Sequence, residues 1–277
     1  MWKNNKAAII AIIICLIGVG LFWGSSNSYA AQPQGQDMGT AVSSTFFENV
    51  VSGWQKNFVK EDRYKLFIDG FCTTVIITLG AGLCGTVLAF GVCMMRRSDR
   101  PFCSILARLY IRMVQGTPVV VLLLLLYYVV FSNTALSPTT VAIIAFGINF
   151  SAYVAEMMHA GVDAVDKGQV EAGKALGFDS FAIYKKIIYP QALMYVLPVY
   201  KGEFISMLKM TSVVGYIAIE DLTKMSDIVR LRTYDAFFPL IVTAAIYFAV
   251  AYVFIYFLDR IEAGVDPKRR NRALDKV

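Results

Sequence analysis

An all-α fold embedded in a membrane is what this sequence predicts, and three observations predict it. Of its 277 residues, 57% are hydrophobic, above the roughly 45–50% usual for soluble domains. Three windows carry no charge: 26 residues from Gly70 to Met95, 43 from Met113 to Ala155 and 23 from Ala236 to Leu258. A crossing helix needs about 20 such residues, so the longest window holds two, divided at Ser132, Asn133 and Pro138. Basic residues then gather in two places, Arg96, Arg97, Arg100, Arg108 and Arg112 between spans and Arg260, Lys268, Arg269, Arg270, Arg272 and Lys276 at the C-terminal end. The turn from Ser132 to Pro138 has none. Positive loops stay inside, so the net charge of +6 reports topology and argues against nucleic-acid binding.

The first thirty residues carry Lys3 and Lys6, an apolar run from Ala7 to Trp23 and small residues at Ser28 and Ala30. This is the pattern of a signal peptide cut after Ala30, with an uncleaved signal anchor as the rival reading. Both place residue 31 outside. Residues 31–69 read as an extracytoplasmic linker ending in an amphipathic surface helix over Val50 to Lys65.

Five spans are expected within residues 70–262, followed by a basic cytoplasmic tail over 263–277. The first contains Thr73, Thr74 and Thr78, which either line a site or bond back to their own helix carbonyls. Ala81, Gly85 and Ala89 form a small-residue face for close helix approach. Pro101 to Val114 is amphipathic, and Gln115-Gly116-Thr117-Pro118 breaks it before the second span, Val119 to Phe131. That break marks either a gate or a span boundary. The third span, Thr139 to Met158, contains Asn149, Ser151, Tyr153 and Glu156; the carboxylate is either functional or a snorkelling cap. The fourth, Ile187 to Ile219, is interrupted by Pro190, Pro198, Lys201, Glu203 and Lys209. It is either a poor core helix or a span whose charges face an interior pathway. Lys209, Thr211, Ser212 and Gly215 give charge, hydroxyls and backbone freedom together, which membrane depth tolerates only around a cavity.

Chemistry is not expected. Cys15, Cys72, Cys84, Cys93 and Cys103 lack metal or redox spacing, His159 has no second ligand nearby, and no nucleophile–base pair is visible. No catalytic residue, metal or cofactor is assigned.

The polar stretch from Asp163 to Pro190 lies on the basic, cytoplasmic side. Val165 to Leu176 predicts a short helix ended by Gly177, and Phe178 to Tyr189 a second, with Pro190 starting the next apolar run. Gly168 to Ala175 (GQVEAGKA) approaches the phosphate-loop pattern, but Ala175 lacks the magnesium-binding hydroxyl and no strand precedes it. The same residues follow another pattern. Glu171-Ala172-Gly173, then Gly177, Ile187 and Pro190, resemble the EAA loop of ATP-binding-cassette (ABC) importer permeases, with Gly173 for the third alanine and Tyr189 for leucine. Gly116-Thr117-Pro118, Ser151-Ala152-Tyr153 with Glu156, Pro190-Gln191-Ala192-Leu193, and Lys209 with Thr211-Ser212 follow in order. Together, over about Asp69 to Glu262, they resemble the polar amino-acid permeases, which serve substrates such as glutamine, glutamate, histidine, arginine and cystine.

The resemblance implies a type I ABC importer permease fold in a bacterial inner membrane. It implies pairing with a second permease copy or a sister chain, two ABC ATPase subunits below, and an extracytoplasmic amino-acid-binding protein outside. Glu171, Ala172, Gly173, Gly177 and Pro190 would couple to the ATPase. Thr73, Thr74, Thr78, Gly116, Thr117, Pro118, Tyr153, Glu156, Glu203, Lys209, Thr211 and Ser212 would line the pathway. A self-sufficient channel or secondary transporter is the alternative, and it would not require the EAA spacing. Relatives often carry arginine at Gln115, a basic residue at His159, Gly-Asn at Lys201-Gly202 and aspartate at Met210. Gaining Lys201 without an acid at 210 suggests a more positive pathway, favouring neutral or anionic amino acids.

Overall fold

The structure, a computed structural model, describes residues 51–265, and these are helical throughout apart from short turns. The signal segment over 1–30, most of the linker and the basic residues of the tail from Lys268 onward lie outside the described residues. Eight helices are distinguished: α1 Tyr64–Arg96, α2 Pro101–Gln115, α3 Val119–Val130, α4 Pro138–Asp163, α5 Lys167–Ala175, α6 Ser180–Ile217, α7 Leu222–Thr233 and α8 Phe237–Val265. Helices α1, α4 and α8 are each long and apolar enough to cross a membrane. The pairs α2–α3 and α6–α7, bent by 104° and 55°, bring the crossings to five when each pair counts once.

Two compact units emerge, residues 66–225 with 245–265, and residues 51–65 with 226–244. In the larger unit α4 is the central helix, packed against α2, α3 and α6. Its Phe146, Phe150 and Val154 are fully buried with Ile77 of α1, Leu123 of α3 and Met207 and Leu208 of α6. Small residues permit this. Ala81, Gly85 and Ala89 are buried on α1, and a Cβ on Gly85 would stand 2.7 Å from the carbonyl oxygen of Gly147 on α4. Backbones in that contact lie too close for a side chain between them. The exposed side of α8, with Tyr252, Val253, Tyr256, Phe257 and Ile261, is the apolar surface expected of a span facing lipid.

Two boundaries differ from the sequence expectation. Pro190 does not end a helix: α6 runs through it by way of a π-helical turn over Tyr184–Ile188, where the Tyr189 amide donates to the Tyr184 carbonyl. The wider turn just before the proline shifts the bonding register that its missing N–H would otherwise break. In the smaller unit, the segment expected as one amphipathic helix is helical over residues 51–59 and then breaks at Lys60–Asp62, with positive φ at Glu61 and Asp62. Buried Arg63 folds it back, donating to the Lys56 carbonyl at 2.7 Å and to Glu61 at 2.8 Å. That guanidinium holds the Glu61 carboxyl below its ordinary range. Asn57, fully buried, donates to the Gly53 carbonyl and to Asp235, both at 2.8 Å. Asp235 accepts from the Phe237 amide at 3.0 Å and so starts α8.

Candidate functional site

The stretch between α4 and α6 is a short helix capped at both ends, followed by a turn. Asp166 caps the start of α5 by accepting from the Gly168 amide at 2.6 Å, which satisfies a donor the helix leaves open. At the other end the Phe178 amide reaches the Gly173 carbonyl at 3.1 Å and the Gly177 amide the Lys174 carbonyl at 2.9 Å. These paired bonds close a helix on a left-handed residue, and Gly177 supplies it at φ 77°. Asp179 then caps α6 through the Ala182 amide at 3.0 Å. The near-match to a phosphate loop is thus helix α5 itself. Gly177→Ala is expected to cost about 1–2 kcal/mol locally, seen as faster amide exchange from Lys174 to Phe178.

Gly173 is buried against α6. A Cβ there would come within 2.7 Å of Ile187 Cδ1 and 3.2 Å of Ile183 Cγ1, so the glycine that departs from the EAA pattern matches the isoleucines beneath it. Glu171 and Ala172 point away and are exposed, and no ion pair among the described residues involves Glu171. The sequence reading missed what surrounds them. Leu176 is 75% exposed and Phe181 70%, with Phe178 and Tyr184 beside them partly uncovered. Lys186 lies over the Phe178 ring at 5.2 Å and Lys185 near Phe181 at 6.0 Å. An apolar tip rimmed by cations on a capped helix has the composition of a protein-docking surface. Large apolar residues after a helix stop were its only sequence signal.

Ion pairs tie the root of this stretch to α1. Arg96 pairs with Glu156 of α4, and Arg97 donates to Asp163 at 2.6 Å and lies 3.1 Å from His159 Nδ1. Glu156 therefore has a structural partner, the first residue after the charge-free window of α1.

The remaining pathway candidates divide by what their polar atoms already do. Thr73 donates to Asp69 O at 3.0 Å, Thr78 to Thr74 O at 2.8 Å, Thr117 to Met113 O at 2.8 Å and Thr211 to Leu208 O at 2.7 Å. Thr74 instead accepts from the Leu222 amide at 3.2 Å. Gly116 and Pro118 form the 104° break between α2 and α3. Tyr153, Glu203 and Ser212 are half-buried and Lys209 is exposed; no side-chain hydrogen bond or ion pair among the described residues engages these four. The expectation of a more positive pathway is corrected. Lys201 pairs with Asp259 and, at 3.0 Å, with Glu262, both on α8, so its charge is met within the protein.

One polar knot has no counterpart in the sequence reading. Asp221, fully buried at the α6–α7 break, accepts from the Thr223 amide at 3.1 Å and the Lys224 amide at 3.0 Å. The Tyr247 hydroxyl of α8 lies 3.1 Å from Thr223 Oγ1 and 3.4 Å from Asp221. Asp221 was legible as a helix cap; Tyr247, inside a charge-free window, was not.

Residues 66–270 match the family model described as binding-protein-dependent transport system inner membrane component. The chain belongs to this family. Among relatives of this permease, the putative glutamine transport system permease protein GlnP of Rickettsia bellii is 32% identical over 199 residues, covering 70% of the chain and 89% of the relative. The octopine transport system permease protein OccM of Rhizobium radiobacter is 32% identical over 204 residues, covering 69% and 82%. A crystal structure of an amino acid ABC transporter with histidines superposes with a TM-score of 0.67 at 37% identity, covering 74% of the permease and 97% of that chain. The inward-facing MetNI methionine ABC transporter, at 18% identity and TM-score 0.63, shares the fold. The five-crossing arrangement is therefore the type I ABC importer permease fold.

Proposed function

We propose that this permease forms the translocation pathway of an ATP-driven importer for polar amino acids and is moved by a partner ATPase. The glutamine, octopine and amino-acid systems to which its relatives belong support the substrate class. The observation that carries the coupling role is the exposed tip formed by Leu176 at the end of α5, Phe178 in the turn and Phe181 at the start of α6, with α5 capped at both ends and seated on α6 through Gly173. Movement of an ATPase against that tip passes to α6 as a rigid body, the motion that alternating access requires. Glu171, Ala172, Gly173, Gly177 and Pro190 belong to this lever, which lies on the cytoplasmic side with the C-terminal tail. Catalysis of ATP hydrolysis resides in the partner, a binding protein delivers the amino acid from outside, and a second permease copy completes the pathway.

Of the pathway set, Tyr153, Glu203, Lys209 and Ser212 are the side chains left to meet substrate. Thr73, Thr74, Thr78, Thr117, Glu156 and Thr211 shape the pathway through bonds already made, and Gly116 and Pro118 set its bend. A self-sufficient transporter has no use for an exposed apolar lever.

Co-expression with the ATPase subunit of the same genome tests the reading. The double variant L176S/F181S is expected to keep its yield in the membrane while retaining less than about a tenth of the ATPase on purification, since a buried apolar anchor is worth at least about 2 kcal/mol. Undiminished ATPase recovery with the double variant would contradict the assignment.

A further inference from the structure

The outward side of α2 is built for a ligand that the transport reading does not use. Helix α2 buries Ser104, Ala107, Ile111 and Val114 and packs on α4. Its opposite side carries Phe102, Ile105, Leu109 and Met113, each more than half exposed. Spacings of three and four place them in one stripe. Beside that stripe stand Arg108 and Arg112, one turn apart and both exposed, with Arg100 at the start of the helix. Arg108 donates to Ser104 Oγ at 3.0 Å, and among the described residues none of these three arginines makes an ion pair. The contrast with the same loop is informative: Arg96 and Arg97 both hold carboxylates. Two guanidinium groups are thus left without counter-charge beside an apolar stripe, and a third at the start of the helix.

Orientation says where that stripe lies. The axis of α2 turns 104° from that of α3, so with α3 taken along the membrane normal α2 runs close to the membrane plane. An amphipathic helix in that plane sinks its apolar stripe to the acyl boundary and holds its arginines level with the headgroups. The planar guanidinium fork fits phosphate oxygens two at a time.

We propose that α2 is a docking site for anionic phospholipid, with Arg108 and Arg112 gripping the headgroup phosphate, Arg100 adding charge at the helix start, and the Phe102–Met113 stripe lying among the chains. A second copy of the permease fits this face less well. A two-fold contact sets α2 against α2, arginine row near arginine row, and α2 contains no acidic residue to relieve it.

Native mass spectrometry of the assembled, delipidated transporter, titrated with phosphatidylglycerol and phosphatidylcholine of one chain length, tests the site. Wild type is expected to retain phosphatidylglycerol preferentially. At about fivefold per arginine near an anionic surface, R108Q/R112Q lowers that preference about thirtyfold, whereas R108K/R112K keeps the charge and most of the preference, separating charge loss from misfolding. Equal retention of the two lipids by wild type, or an unchanged preference in R108Q/R112Q, would overturn the proposal. So would a disulfide joining two permease copies through L109C in the assembled transporter, which would assign the stripe to a second copy.

Discussion

Replacing Gly173 with valine should uncouple transport from ATP hydrolysis while leaving the spans folded. The added Cβ meets Ile187 Cδ1 at 2.7 Å and Ile183 Cγ1 at 3.2 Å, and the two valine methyls extend further into the same space. Both isoleucines sit on α6; Ile183, 3% exposed, is held in place at its Cγ1, while Ile187 meets the clash at its terminal methyl. Overpacking of this kind costs about 1–3 kcal/mol, and relief comes most readily by lifting α5 off α6. A lever detached at its fulcrum still offers Leu176 to the ATPase, but Leu176 no longer moves together with Phe181 at the start of α6, and a push on α5 no longer reaches the span. The expected result is an assembled transporter whose ATPase rate loses its stimulation by loaded binding protein and whose uptake falls tenfold or more, at about 1.4 kcal/mol per decade. Paired I187A with G173V, which restores the room, should recover part of the uptake. That recovery separates a steric lever from a general folding defect.

Lys201→Met should destabilise the protein by removing a cation that two carboxylates of α8 share. Lys201 is mostly buried, and it holds Asp259 and Glu262, the latter only 4% exposed. Removing the cation strips both carboxylates of their shared lysine, and breaking a buried ion pair from one side costs about 3–5 kcal/mol. Asp259 retains a third of its exposure, which places the expected loss at about 3 kcal/mol. Thermal unfolding in detergent measures it. Because the penalty arises from carboxylates left behind, K201M/D259N/E262Q should regain most of the stability lost by K201M, and the substrate preference among neutral, anionic and cationic amino acids should not follow the charge at position 201.

Much of the membrane architecture was legible because its physics is one-dimensional. Charge-free windows, arginine clusters and the Gln115–Pro118 break each express a local cost, and the helices appear where those costs put them. Pro190 was misread because its consequence depends on the turn before it: a π-helical turn at Tyr184–Ile188 carries α6 through a residue that otherwise ends helices. The segment before Tyr64 was misread for a related reason. Its apolar spacing suits a helix, but Arg63 reaching back to the Lys56 carbonyl folds the chain at Glu61.

The coupling loop was legible in its backbone and opaque in its surface. Gly177 announced the helix stop, and Asp166 and Asp179 stand where caps belong. Which side chains the lever presents depends on which it buries, and that was decided by Ile183 and Ile187 beneath Gly173, leaving Leu176 and Phe181 outward. Among the pathway residues, spacing located the hydroxyls but not their partners. Thr73, Thr78 and Thr211 spend their protons on carbonyls three or four residues back, and Lys201 is answered by carboxylates 58 and 61 positions away, separations no local pattern encodes.

The central claim is that an ATPase drives polar amino acids through this permease by pushing on the Leu176–Phe181 tip. ATP-dependent uptake of radiolabelled polar amino acids into vesicles containing the reconstituted permease, its ATPase and its binding protein measures it most directly. The account predicts uptake that requires ATP and all three components, and that L176S/F181S abolishes while sparing the assembly of the spans. Uptake that persists without the ATPase, or that L176S/F181S leaves at the wild-type rate, would contradict it.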